Sequence, residues 1–224
     1  MKRELIKRKG FTLAEVLITL GIIGVVAALT IPTLISNYQK TQTVTQLKKT
    51  FAVLSEAFQN STIETENGTP STWDWTQGIT GLAQYMIPYL STIKDCGCNV
   101  SSECKTPNHW LNQTNTYYSE VAVTCDVILK DGVVVSFAKN SATILDIMVD
   151  LNGAKKPNVV SKDIFFMRIS QSMKKLYFVD ANTDRDVAKD NELYGCNKTA
   201  TSAGLFCGKL IQLDGWQIKD DYPW

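Results

Sequence analysis

The sequence predicts an α+β protein. A long N-terminal α-helix, half membrane-spanning and half amphipathic, leads into an antiparallel β-sheet domain stabilised by disulfides. Three observations carry this prediction. An uncharged run from Val16 to Ile35 passes directly into a one-sided stripe of large apolar residues. Beyond that stripe come short β-branched runs separated by turn residues, with no alternation of strand and helix patterns, which argues against a parallel α/β sheet. All six cysteines fall in the second part of the chain.

Taken in order, the chain opens with a basic tip. Residues 1–10 carry five basic groups (Lys2, Arg3, Lys7, Arg8, Lys9) and one acid, whereas the whole 224-residue chain has a net charge of only +1. The 20 uncharged residues from Val16 to Ile35 cover roughly 30 Å as a helix, the thickness of a bilayer core. With the basic tip at one end, the positive-inside rule keeps the N-terminus cytoplasmic and exports the rest. No small-residue cleavage site follows the run, which continues through Thr30-Ile31-Pro32-Thr33. Glu15 is the anomaly: an acid inside an apolar helix costs roughly 2.5–3.5 kcal/mol unless it is partnered. The only basic groups within its reach are those of the tip, or a new amino terminus created nearby.

Val44, Leu47, Phe51, Leu54 and Phe58 then recur at helical spacing, one face of an amphipathic extension. Together with the apolar run this predicts a helix from residue 11 to about residue 60, roughly 75 Å long. Turn-forming residues 64–72 end it, and a second helix is expected around 81–92, where Leu82, Tyr85, Met86 and Tyr89 share a face. A cysteine-bearing loop, Cys96-Gly97-Cys98 through Cys104, follows. Strands are expected at 121–129 and 133–138 around the hairpin turn Lys130-Asp131-Gly132, and then at 143–149, 164–169 and 175–179. The tail 216–224 is expected to form a strand ending in an aromatic anchor.

At its N-terminus the chain acquires a specific likeness. Lys9-Gly10-Phe11-Thr12-Leu13-Ala14-Glu15, followed by an apolar helix, resembles the class III signal of type IV pilins and type II secretion pseudopilins, over residues 8–35. The resemblance implies that a prepilin peptidase cuts between Gly10 and Phe11 and methylates the new amino group of Phe11. It implies three regions: a leader (1–10), an N-terminal helix (11–60, transmembrane about 13–35) and an exported pilin-like domain (61–224). It further implies that Glu15 serves subunit assembly by neutralising the Phe11 ammonium of a neighbouring subunit. Gly24 and Pro32 fall where pilin helices commonly have these residues and loosen. The implied product is a structural subunit held in the bacterial inner membrane by a single pass. From there it would be assembled into a type IV pilus or a type II secretion pseudopilus. Its implied partners are copies of itself, other pilin-like subunits, the peptidase, an assembly ATPase and an inner-membrane platform.

Export favours pairing of the cysteines. Cys196 and Cys207 resemble the C-terminal disulfide loop of many pilins. The other four leave two pairings open: Cys98 with Cys104 and Cys96 with Cys125, or the crossed arrangement. No cofactor is assigned: Cys96, Cys98, Cys104 and His109 lack the spacing of a common zinc module and export favours disulfides there, which leaves calcium as the candidate. Asp180, Asn182 and Asp184 alternate like the start of an EF-hand loop, although Arg185 stands where that loop needs glycine. The stretch from Asp150 and Asn152 to Asp163 resembles a pseudopilin loop, and major pseudopilins carry calcium in their C-terminal loops.

Several function classes are disfavoured. Lys and Arg number 23 against 22 Asp and Glu, so no basic surface argues for nucleic acid. The lone His109 excludes a multi-histidine metal site. Cys-Gly-Cys lacks the spacing of thioredoxin-like redox sites, and no phosphate-binding loop is present. The expectation is therefore a non-enzyme. The alternative is a signal-anchored exported binding domain or enzyme that does not polymerise.

Overall fold

In the computed structural model the described residues are 10, 12–63, 69–99, 104, 110–112, 123–153, 155–180 and 182–224. The chain divides into two compact units, 1–40 and 41–224. Helix α1 (Leu13–Thr62), 50 residues long, begins in the first unit and ends in the second.

In the first unit α1 is apolar on all sides. Leu17, Leu20, Ile23, Leu29 and Leu34 are all exposed. An 18-residue window within α1 has a mean hydropathy of 2.3 and none of it is buried, so this is a helix long and apolar enough to cross a membrane. The helix continues through Gly24 and Pro32.

In the second unit the same helix becomes one-sided. Leu47, Leu54 and Phe58 are fully buried, and Val44 and Phe51 pack against the core at its margin. Phe51 stacks on Phe178, with ring centroids 5.0 Å apart, and Phe58 meets the edge of Trp73 at 6.2 Å. Trp73 in turn stacks on Tyr85 at 4.7 Å. Each fully buried large side chain contributes about 1.5–3 kcal/mol by leaving water.

The partner of this stripe is a six-stranded antiparallel sheet in which neighbours in sequence are neighbours in space. Its strands are β1 (Thr92–Asn99), β2 (Thr124–Leu129), β3 (Val134–Ser141), β4 (Ile144–Asp150), β5 (Ile164–Ser170) and β6 (Tyr177–Phe178). The register places Val127, Val135, Val149 and Phe165 in one row and Cys125, Phe137, Ile147, Met167 and Phe178 in the next, all on the face that receives Phe51. On the opposite face Phe166 meets Trp110, with centroids 6.3 Å apart. Both faces of the central strands are covered, which explains why β4 is almost wholly buried and shows no alternation in sequence. The β2–β3 turn closes with the Gly132 amide donating to the Leu129 carbonyl (2.9 Å), and Gly132 takes the positive φ of +87° that the turn needs.

Six elements differ from expectation. The helix expected at 81–92 is only α2 (Ile79–Ala83), followed by a single 3-10 turn at Ile87–Tyr89. Pro88 sits inside that turn, and its missing donor and its constraint on Ile87 prevent an α-helix from continuing. Cys96-Gly97-Cys98 lies not in a loop but within strand β1, where the register shifts between Asp95 and Cys98 and Gly97 takes φ +71°. Helices α3 (Arg185–Asp190) and α4 (Cys207–Leu213) were not expected. The tail 216–224 forms no strand, since Gly215 and Trp216 both turn with positive φ and break an extended run. β6 is confined to two residues of the expected 175–179.

Candidate functional site

The N-terminal site begins at Gly10, which is exposed, and among the described residues nothing beyond its chain neighbours lies within 4 Å of where a Cβ would stand. Phe11 lies outside the described residues, as do the basic residues 2–9. Glu15, one turn into α1, is partnered within its own chain. The Thr12 amide and the Thr12 hydroxyl both donate to Glu15 Oε2 at 2.8 Å, and the Glu15 amide donates back to Thr12 Oγ1 at 3.3 Å. This is a capping box: Thr12 is the N-cap, Glu15 the third helical residue, and each satisfies donors the helix start leaves open. The acid in the apolar helix is thus not bare before any partner arrives. The signal was in the sequence as Thr-x-x-Glu, a pattern with its own local cause alongside the resemblance.

All six cysteines are paired. Cys196 is bonded to Cys207 and Cys98 to Cys125, with Cα atoms 4.7 and 3.9 Å apart, and Cys96 is bonded to Cys104. Of the two arrangements left open for the first four cysteines, the crossed one is adopted. Its cause is the sheet: Cys98 and Cys125 are directly opposed in the β1–β2 register, whereas the Gly97 bulge turns Cys96 away from β2.

The calcium candidates do not converge. Among the described residues no group of three or more His, Cys, Asp or Glu is placed to hold a metal. Asp184 is the N-cap of α3 and accepts from the Val187 amide at 2.8 Å, so the EF-hand-like alternation is the start of a helix. Asp180 takes φ +63° and lines a cleft on the sheet. Asp150 Oδ1 accepts from the Asn152 amide at 3.2 Å, and Asn152 Nδ2 donates to Asp163 Oδ2 at 3.1 Å. Asp163 also receives the amides of Asn158 and Val159, each at 2.8 Å. Burial pushes its carboxyl above the usual range while these donors pull the other way. The acids of 150–163 therefore fold their own loop. His109 lies outside the described residues.

Two further constellations escaped the sequence. Arg185 forks onto Asp214 (Nε–Oδ1 2.7 Å) and reaches Asp221 (3.0 Å), while Lys219 and Lys189 complete the network at 2.6 and 3.1 Å. Tyr222, buried, donates to the Ser161 carbonyl at 2.6 Å. These bonds fasten the irregular tail to the body. On the face of the sheet that carries Phe166, a cleft of about 590 Å³ is lined by Trp110, Asn140, Asp146, Arg168, Tyr194 and Phe206, among others. Its floor is the bidentate pair Arg168–Asp146 (2.6 and 3.2 Å), to which Asn140 adds a third hydrogen bond at 2.6 Å.

Residues 5–31 match the prokaryotic N-terminal methylation motif, the prepilin-type signature of type IV pilins and pseudopilins, and the match supports a type IV pilin-like precursor. Residues 33–224 match a family of unknown function, DUF6613, and the chain belongs to that family. No curated protein and no solved structure matches the chain.

Proposed function

We propose that the chain is the precursor of a pilin-like structural subunit. A prepilin peptidase cuts between Gly10 and Phe11 and methylates Phe11. The product waits in the inner membrane with its body exported, and is assembled with copies of itself and other pilin-like subunits into a type IV pilus or type II secretion pseudopilus. An assembly ATPase and membrane platform drive that step. The work of this chain is structural and not catalytic.

The observation that carries this reading is the placement of Glu15, five residues past Gly10, at the head of a helix whose first half buries nothing. Such a surface is covered by lipid in one state and by like helices in another. Within a filament the Glu15 carboxylate can exchange its Thr12 donors for the Phe11 ammonium of a neighbour. A charge pair of this kind sets register more than it adds stability, because removing one partner strands the other. Three disulfides in the body support an oxidising, exported location.

Glu15→Gln separates the two roles of this side chain. Glutamine also completes a capping box, so helix start, membrane insertion and cleavage should persist. Filament yield should fall sharply while cleaved protein accumulates in the membrane. Undiminished filaments would remove the charge pair from the account. The 590 Å³ cleft favours a second reading, an anchored binding domain that does not polymerise. That reading requires ligand binding by a chain that never enters filaments.

A further inference from the structure

We propose that Lys155, Lys156 and Lys162 form a docking surface for anionic lipid headgroups on the outer face of the membrane that α1 spans; this rests on the membrane-anchored reading above. Residues 150–163 contain two acids and three lysines, and the fold sorts them. Asp150 and Asp163 are buried, and Asp163 is taken up by the amides of Asn158 and Val159 and by Asn152. Lys155 and Lys156 are exposed at the tip with Pro157, and Lys162 is half-buried. No described carboxylate stands within ion-pair distance of any of the three ammonium groups. The nearby Asp131 is already tied to Lys49 at 2.9 Å. The loop therefore shows cations outward and keeps its acids for its own hydrogen bonds.

Its attachment to α1 says what those cations meet. Thr43 Oγ1 donates to the Lys162 carbonyl at 3.3 Å, and Gln46 Nε2 donates to the Leu151 carbonyl at 2.5 Å. Thr43 is eight residues beyond Ile35, where the apolar stretch ends. Eight residues of chain span no more than about 29 Å, which bounds how far Thr43 can lie from Ile35 however the two units are arranged. The loop is therefore tethered by a short stretch of chain to the segment proposed to span the bilayer. A cluster of lysines beside a membrane segment is attracted to anionic lipid, and the attraction is lost in salt. Docking would hold the body against the membrane before assembly, and extraction into a filament would have to release it.

The test uses the full chain in lipid nanodiscs, comparing phosphatidylcholine alone with a mixture of roughly one-third phosphatidylglycerol. Hydrogen exchange is followed at residues 155–162 and at 16–35. In the anionic discs the loop amides should exchange at least about threefold more slowly in the wild type than in Lys155→Gln/Lys156→Gln/Lys162→Gln. The difference between the two proteins in phosphatidylcholine discs gives the intrinsic effect of the substitutions, and what exceeds it in the anionic discs reports docking. About 0.5 M salt should erase it, since screening then falls to roughly 4 Å. Equal exchange in the two proteins, with 16–35 protected, would overturn the docking surface and leave the anchor standing. Free exchange at 16–35 would overturn both.

Discussion

Charged side chains at the C-terminus show how single residues hold an irregular segment. Burial pushes the Asp214 carboxyl upward, but the hydrogen bonds from Arg185 and Lys219 outweigh it, and the group lies below its ordinary value of 3.8. Asp221 is lowered too, by Lys189 and then Arg185. An acid whose folded value is depressed contributes stability that is complete above its unfolded value and is lost as pH falls through the folded one. The network should therefore weaken below about pH 4. Denaturant midpoints of wild type and Arg185→Gln in detergent, followed from about pH 6 to about pH 2.5, should converge as the acids protonate. A gap that stays constant across that range would show that the ion pairs do not stabilise the tail. Asp163, raised by burial, acts with the opposite sign but is common to both proteins. None of these pairings was legible, because Arg185 lies 29 residues from Asp214 and 36 from Asp221. The Thr12–Glu15 box, by contrast, spans one helical turn and could be read directly.

At the scale of elements, legibility followed the regularity of the hydrophobic pattern. The stripe from Val44 to Phe58 has one period and one partner, so both the helix and its buried face could be read. The hairpin at Asp131-Gly132 announced itself through its turn chemistry. Strand β1 did not, since the Gly97 bulge interrupts the alternation and its cysteines resemble loop residues. α3 and α4, of six and seven residues, are too short to show a period. The two halves of α1 make a sharp contrast that can be measured. Leu54→Ala removes a fully buried side chain and should destabilise the body by about 2–5 kcal/mol. Leu20→Ala, at an exposed position, should leave the unfolding of the body unchanged. Equal effects on the denaturant midpoint would mean that the first half of the helix is not the separate, lipid- or subunit-facing element described here.

The whole molecule joins a helix that is half uncovered to a body whose core is complete. The body has a continuous apolar core, a sheet covered on both faces, and three disulfides, each worth about 2–4 kcal/mol in a typical case. Among the described residues the first half of α1 has no such cover, and its cap leaves one carboxylate close to where the peptidase cut is proposed. The α+β class and the antiparallel sheet from β2 onward were readable because successive strands pair with one another, so no long-range connection had to be guessed. The cleft floored by Arg168 and Asp146 was not, because it depends on residues brought together from three strands and the C-terminal segment. The central claim is that this chain matures as a pilin-like subunit. Its most direct test is the N-terminus of the protein purified from its own host, read by mass spectrometry. The account predicts a chain beginning at Phe11 and carrying a methyl group on its amino nitrogen; a chain still beginning at Met1 would contradict it.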